Sequence, residues 1–454
     1  AKAIEPDLIV TVDNGIASHE GVARAHELGI KVVVTDHHLA AETLPDADAI
    51  VNPNQPGCEF PFKSTAGVGV IFYVMSALRR QLQTQGWFDH QGINAPNMAQ
   101  YLDLVALGTV ADLVPMEHNN RILVAQGVAR IRAGKARPGI LALLAVAKRQ
   151  HYNLQATDLG FSIGPRLNAA GRLEDMSLGI ECLLSDDEHI AAQLAQELDE
   201  LNAQRRHIEA DMQQQAGNIL TRLESSQDQE LPKCVCLFHP DWHQGVVGIV
   251  ASRIKEKWHR PALVFAMGDA DTLKGSCRSI AGFHLRDAIA AVDAHNPGLI
   301  IKFGGHAMAA GLSIKADNFE AFKEALDTYA QEHLPDSLLA KEWRSDGQLS
   351  AQELQLNQAF LLQQAGPWGQ GFEEPTFHGR FVLVQQRIVG EKHLKLVLAD
   401  LQTGELVDAI YFNIDLAVWP STCEQADLVY RLDINEFRGR QSLQLMVQHM
   451  TPVA

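Results

Sequence analysis

The chain has 454 residues, a formal net charge of −17, 46% hydrophobic and 20% charged residues. That length exceeds one ordinary domain and leads us to expect two to four. The composition is that of a globular protein with a substantial core. The acidic balance excludes polyanion binding by bulk charge but leaves room for a local basic groove. No run of 18 or more apolar residues occurs and no charged-then-apolar leader opens these residues, so no membrane partner is expected. The six cysteines, Cys58, Cys182, Cys234, Cys236, Cys277 and Cys423, include no C-x-x-C pair. They suggest neither a zinc ribbon nor a disulfide framework, and reduced thiols in a cytoplasmic protein are the simplest account.

The apolar run Asp7–Val12 reads as a strand ending in Asp13-Asn14-Gly15. Ser18 to Leu28 reads as a helix, with Ser18 as N-cap and Gly29 as stop. A second apolar run, Lys31–Val34, ends in Thr35-Asp36-His37-His38. The unit is therefore β-α-β with a right-handed crossover and parallel strands. Its geometry puts Asp13 and Asp36-His37-His38 on one rim, outside the carboxyl ends of the strands, where ligands bind in open α/β sheets. Carboxylates and imidazoles together, partly open to water, suit Mn²⁺, Mg²⁺ or Zn²⁺. A single aspartate at a strand end is usually a turn former or cap. Asp-His-His preceded by a matching strand-Asp is harder to explain by structure alone.

Helices are expected over Gly67–Gln83 and Met98–Leu107, the second leading into Gly108-Thr109-Val110-Ala111-Asp112. Asp112 thus falls at a helix-to-loop junction that could face the same rim, and a capping role fits it equally well. Residues 120–185 read as mainly helical, with a Gly/Pro/Asn-rich break at Gly164–Arg172. Asp186–Ser225 reads as one long helix joining two domains and solvated over much of its surface.

From Leu231 an α/β pattern resumes. Val235–Phe238 and Ala262–Phe265 read as strands, with Cys234 and Cys236 packing inward, and Gly245–Lys257 as a helix. Lys274–Ser279 reads as a polar loop or strand edge, and Phe283–Asp293 as a helix. Ile300–Phe303 leads into Gly304-Gly305-His306, before a helix over Asn318–His333. Paired glycines let the backbone approach a ligand and present N–H groups to an anion. They also suit a plain tight turn carrying a surface histidine. Five short alternating runs follow, Phe381–Val384, Leu394–Leu398, Leu406–Phe412, Leu428–Leu432 and Leu443–Val447. They suggest a small barrel of the OB type. Arg387, Lys392, His393, Lys395, Arg438 and Arg440 could line a single-strand groove with Phe437, or form an ordinary solvated face.

Five segments, Val12-Asp13-Asn14-Gly15, Asp36-His37-His38, Gly108–Asp112, Gly164–Arg172 and Gly304-Gly305-His306, closely resemble the RecJ branch of the DHH/DHHA1 phosphoesterases, in its proteobacterial form. Each is weak alone. Their order, with the long helix and the terminal barrel, is specific, and the resemblance runs from Asp7 to the end. It implies an α/β protein with a parallel-sheet DHH domain (1–185), a connecting helix (186–230), a smaller α/β DHHA1 domain (231–340) and an OB-like nucleic-acid-binding barrel (341–454).

It further implies a 5′-to-3′ exonuclease specific for single-stranded DNA, acting in recombination and repair through two Mn²⁺ or Mg²⁺ ions, a chemistry suited to phosphodiesters. By position, Asp13 matches a metal-bridging aspartate, and His37 and Asp112 match ligands of one metal. Asp36 supports the cluster, and His38 matches a phosphate-facing or supporting histidine. His306, with Gly304 and Gly305, matches the histidine that reaches the scissile phosphate. Ser276, Arg278 and Ser279 lie in a Ser-x-Arg-Ser segment for the terminal 5′ phosphate. Arg166, Asn168 and Arg172 match DNA or interdomain contacts.

The implied partners are single-stranded DNA, a single-strand-binding protein and a RecQ-type helicase; the implied protein is a cytoplasmic monomer. The family's Asp-rich first motif would precede Asp13 by about fifty residues, so these residues alone are expected to lack carboxylates for at least one metal and to be inactive or nearly so. Two other readings compete: a DHH phosphodiesterase acting on oligoribonucleotides or cyclic dinucleotides, and a non-catalytic single-strand-binding protein.

Overall fold

The structure is a computed structural model and describes residues 3–225, 231–390, 393–414, 419 and 423–453, without the side chains of 222–225. The chain divides into two compact units, one of Ala1–Gly164, Ser185–Glu188 and Trp343–Ala454, the other of Pro165–Leu184 and His189–Glu342.

The first unit opens with the expected β-α-β. Strand β1 (Leu8–Val12) pairs in parallel with β2 (Lys31–Thr35), with Val12 opposite Thr35. The helix between them, His19–Glu27, buries Val22 and Ala25 against Ile30, Val32 and Val34. Ser18 occupies the N-cap position without a side-chain capping bond. A third parallel strand, β3 (Ala49–Val51), lies on the far side of β2. It was not expected, because three apolar residues carry too little periodicity to register as a strand. Helices Gly67–Thr84, Leu102–Ala111, His118–Arg132 and Pro138–Val146 follow, and Val105, Ala106, Val124, Ile131, Ile140 and Leu143 are fully or almost fully buried.

The break expected at Gly164–Arg172 is instead a helix, Gly164–Leu173, entered through a π-helical turn over Leu159–Ile163. Pro165 sits in its first turn, where a missing N–H costs nothing. Burial of Leu167, Ala169 and Ala170 outweighs the unfavourable composition.

In the second unit, β4 (Val235–Phe238), β5 (Ala262–Met267), β6 (Thr272–Arg278), β7 (Ile300–Gly305) and β8 (Ala309–Lys315) form one sheet of order β4-β5-β6-β8-β7. Lys274–Ser279, expected as a loop or strand edge, is therefore central in the sheet. All but its last residue lie in the middle strand, which hides Leu273 and Cys277 while polar neighbours face outward. The long helix runs from Glu188 to Ser225. Its Met212, Ala216 and Leu220 pack with Val235, Leu237 and Val247. It is less solvated than its composition suggests: Asn202, Arg205 and Glu209 are buried, and Arg205 binds Glu209 at 2.6 Å and Asn202 at 2.9 Å.

The C-terminal part of the first unit is a closed barrel of β9 (Phe377–Val389), β10 (His393–Asp400), β11 (Leu406–Tyr411), β12 (Gln425–Phe437) and β13 (Arg440–Val453), in the order β10-β11-β13-β12-β9. Pairing of β11 with β13 is parallel, unlike every other pairing in the barrel. Five antiparallel-dominated strands closed in this way form an OB-type barrel. Among the described residues, no helix is long and apolar enough to cross a membrane.

Candidate metal centre

The three parallel strands end on one rim, and their loops are tied together there. Asp13 follows β1 in a left-handed conformation, φ 64°, with its N–H donated to Thr35 O at 3.0 Å. Gly15 closes this turn at φ 114°, and a Cβ there would lie 2.7 Å from Thr11 Oγ1 and 3.0 Å from Val34 Cγ1. Ile16 N–H then donates to Asp36 Oδ2 at 2.9 Å, which ties the β1 loop to the β2 loop.

Asp36 is 1% exposed, and both its oxygens are occupied. Oδ1 accepts from His37 N–H (2.8 Å), His38 N–H (3.1 Å) and His38 Nδ1 (2.7 Å). Burial opposes its ionisation, but the hydrogen bonds from Ile16, His37 and His38 prevail and hold the carboxyl below its ordinary range. Asp36 therefore shapes the loop rather than offering a ligand atom. The same bond to Asp36 raises His38 above the ordinary imidazole value, against the effect of burial, and its ring edge meets His37 at 4.7 Å. From the loop after β3, Asn52 Nδ2 donates to His38 O (2.9 Å) and Asn54 Nδ2 to His37 O (2.6 Å). These two asparagines brace the histidines from behind. Sequence reasoning missed them; the signal that marks them is the Asn52-Pro53-Asn54 cluster after an apolar triplet.

His37 Nε2 lies 3.0 Å from Asp13 Oδ1 and 3.3 Å from Asp112 Oδ2. Yet this nitrogen is buried and has no hydrogen-bond partner, since neither carboxylate stands in a direction that would make a bond. Adjacent ligands of an octahedral Mg²⁺ at 2.0–2.1 Å stand about 3 Å apart. Each carboxylate oxygen thus stands from His37 Nε2 at about the spacing of adjacent cation ligands, without the angle of a hydrogen bond. Burial raises the Asp112 carboxyl, as does the nearby Asp13 charge, while His37 and His38 pull it down. Crowding of carboxylates is what a divalent ion relieves. Asp13, His37 and His38 also offer atoms within 4.8 Å of one another. The residues present therefore fit a divalent cation.

Asp112 reaches this point as the C-cap of Leu102–Ala111. Gly67, which opens the helix Gly67–Thr84, lies against Asp13: a Cβ there would come 2.7 Å from Asp13 Cγ and closer still to Oδ1. It is a site residue that nothing in its local sequence distinguishes from a helix glycine.

The second unit carries its own polar cluster. Arg278 Nη1 donates to Cys277 O (2.8 Å) and Ser276 Oγ (3.3 Å). Gly248, in the first turn of Val247–Trp258, has its α-carbon over this pair: a Cβ would lie 2.9 Å from Ser276 Oγ and 3.3 Å from Arg278 Nη2. Burial lowers Arg278. It also lowers Arg172, where the charges of Arg205 and Arg278 add to the effect and Glu209 opposes it. Ser276, Arg278 and Arg172 thus make an anion-seeking group.

The other expected substrate contacts sort differently. Ser279 is 1% exposed and commits its hydroxyl to Phe283 O at 2.7 Å, so it fixes the loop instead of offering a free donor. Arg166 is paired with Asp199 at 2.7 Å. Asn168 is exposed. His306 is exposed in the turn between β7 and β8, its N–H donated to Ala309 O at 2.8 Å. Gly305, φ 138°, is required by that hairpin, whereas Gly304 has open space beside it.

On the barrel, the expected basic residues cluster at two hairpins. Arg387 is the register partner of Lys395, and Phe437 of Arg440. The Arg438 guanidinium lies 5.2 Å from the Phe437 ring, which is 66% exposed. Lys395 stands 3.8 Å from Asp408, and His393 accepts the Asn413 N–H at 3.1 Å. Lys392 lies outside the described residues.

Comparison with known proteins matches three family models along the chain: DHH family, N-terminal domain, at residues 2–109; DHHA1 domain at 231–332; and RecJ OB domain at 345–449. The single-stranded-DNA-specific exonuclease RecJ of Dickeya dadantii is 56% identical over 454 residues, all of this chain and 79% of that protein. The crystal structure of RecJ with Mn²⁺ from Thermus thermophilus matches with a TM-score of 0.78 at 30% identity, over 99% of this chain and 62% of that one. Its Mg²⁺ counterpart matches with a TM-score of 0.72 at 29% identity, over the same shares.

Proposed function

The chain belongs to the RecJ family, and on that premise we propose that it performs the work of a 5′-to-3′ exonuclease on single-stranded DNA, hydrolysing phosphodiester bonds with Mn²⁺ or Mg²⁺ in DNA recombination and repair. The observation that carries the reading is the orphaned His37 Nε2 beside the Asp13 and Asp112 carboxylates, at the carboxyl ends of a parallel sheet. Asp13, His37 and Asp112 would hold the cation. A bound divalent ion lowers the pKa of water and neutralises charge on a phosphate.

The chain's own residues do the remaining work. Asp36 orients both histidines through its four hydrogen bonds. His38, with Nδ1 held by Asp36, keeps Nε2 for an incoming phosphate oxygen. His306, by its family position, serves a phosphate of the strand from the DHHA1 domain. Ser276, Arg278 and Arg172 take the terminal 5′ phosphate, whose charge relieves the repulsion between the two guanidiniums; Asn168 and Arg166 flank that path. The two barrel hairpins, with Phe437 stacked on a base and arginines on the backbone, hold the trailing strand. The RecJ-type barrel favours a polymer substrate over a dinucleotide. An enzyme limited to single strands needs them exposed, which is where a RecQ-type helicase and a single-strand-binding protein in the cytoplasm enter the proposal.

The test is Mn²⁺-dependent digestion of a 5′-phosphorylated single strand by the whole gene product, with Asp13→Asn, His37→Ala and Asp112→Asn beside it. The proposal expects mononucleotide release from the 5′ end, little from a blunt duplex, and a loss of at least about a thousandfold in each variant. Unchanged cleavage by Asp13→Asn would overturn it.

A further inference from the structure

Phe161 is 82% exposed, the most exposed large apolar side chain among the described residues. Its place is unusual in two other ways. It lies in the π-helical turn Leu159–Ile163, whose Leu159, Ser162 and Ile163 are buried, so the ring projects from the face opposite the core. Single π-turns inside helical segments concentrate at functional sites. The turn also packs against the helix that carries a metal-binding residue. A Cβ on Gly160 would lie 3.2 Å from Val110 Cγ1, and Val110 is two residues before Asp112. Leu113, just beyond Asp112, is 68% exposed with φ 56°. An outward aromatic ring therefore follows directly on the residue that packs against this helix, and an outward leucine lies just past the helix end. Among the described residues, no ring partner stands against Phe161.

We propose that Phe161 is a stacking platform for a nucleobase of the single strand next to the scissile site. The inference rests on the exonuclease reading above and adds a specificity determinant to it. Bases in a single strand have exposed π-faces, and an aromatic side chain takes any of the four with little preference. A ring on the turn packed against this helix would set the register of the strand, so that one phosphate at a time comes to the metal ligands. Paired and stacked bases of a duplex cannot offer a free face, so the platform would also discriminate against double strands.

The test uses single strands carrying 2-aminopurine at successive positions from a 5′ phosphate, bound in EDTA so that no cleavage occurs. Wild type and Phe161→Tyr are expected to quench the probe at one position, and Phe161→Ala to leave it bright. Single-strand affinity should fall about tenfold in Phe161→Ala, with Mn²⁺ affinity and thermal stability unchanged, because the ring is solvent-exposed. Equal quenching and equal affinity in Phe161→Ala would overturn the inference while the exonuclease reading stands. Failure of the wild type to bind any single strand would overturn both.

Discussion

Replacing Asp36 by asparagine tests the architecture behind the proposed metal centre. The carboxylate accepts four hydrogen bonds, three at Oδ1 and one at Oδ2. An amide can keep only one side of this arrangement. With its oxygen toward His37 and His38, its NH₂ faces the Ile16 N–H, donor against donor. An orphaned buried N–H costs about 1–3 kcal/mol, and the remaining three bonds lose the strengthening that charge gave them. The sum is roughly 3 kcal/mol, on a loop that carries His37 and is tied to the loop that carries Asp13. Hydrogen exchange should report it locally. Amide protection at Ile16, His37 and His38 should fall by about a hundredfold, from a free-energy change of that size, while protection in the barrel stays as it was. Mn²⁺ affinity, measured calorimetrically, should drop by about 10–100-fold, as for other residues that orient metal ligands. Wild-type protection at Ile16 together with wild-type Mn²⁺ affinity would refute the reasoning.

Gly67→Ala places a methyl group against the Asp13 carboxylate. Alanine favours the helix, by about 1 kcal/mol in an interior, so circular dichroism should be unchanged while calorimetric Mn²⁺ affinity falls by at least about tenfold. Gly248→Ala fills the space beside Ser276 Oγ and Arg278 Nη2. Competition between 5′-phosphorylated and 5′-hydroxyl strands should show the phosphate preference reduced, with metal affinity unaffected. The buried thiols should be inert: burial pushes Cys182 to about 11 and Cys236 to about 12, and Cys234 and Cys277 also go well above the ordinary value. Iodoacetamide at pH 8 should leave these four unmodified in the native protein and label them on unfolding, as read by intact mass.

The parallel sheet, the long helix and the barrel were legible because each has a strong period. The Asp36-His37-His38 cluster was legible because polar residues break sharply at the end of an apolar strand. Asp13 came with it, since a β-α-β unit brings both strand ends to one rim. Asp112 was not separable from an ordinary cap, because its meeting with His37 depends on how a helix far beyond β2 in the chain packs back. Gly67 and Gly248 act through what their missing side chains leave open, and a single chain carries no mark of that. Lys274–Ser279 read as a loop or a strand edge, not as the central strand, because its strand buries few residues and faces polar groups outward. Arg205 and Glu209 looked solvated because their mutual pairing, which lets them be buried, is invisible to composition. The parallel β11–β13 pairing that closes the barrel is a long-range choice with no local signature.

The central claim is that Asp13, His37 and Asp112 converge on one divalent cation. The most direct measurement is the anomalous difference map of a crystal of this protein soaked in Mn²⁺, collected at the manganese edge. The account predicts a peak in contact with Asp13 Oδ1, His37 Nε2 and Asp112 Oδ2. A map with manganese bound elsewhere and none at these three atoms would contradict it.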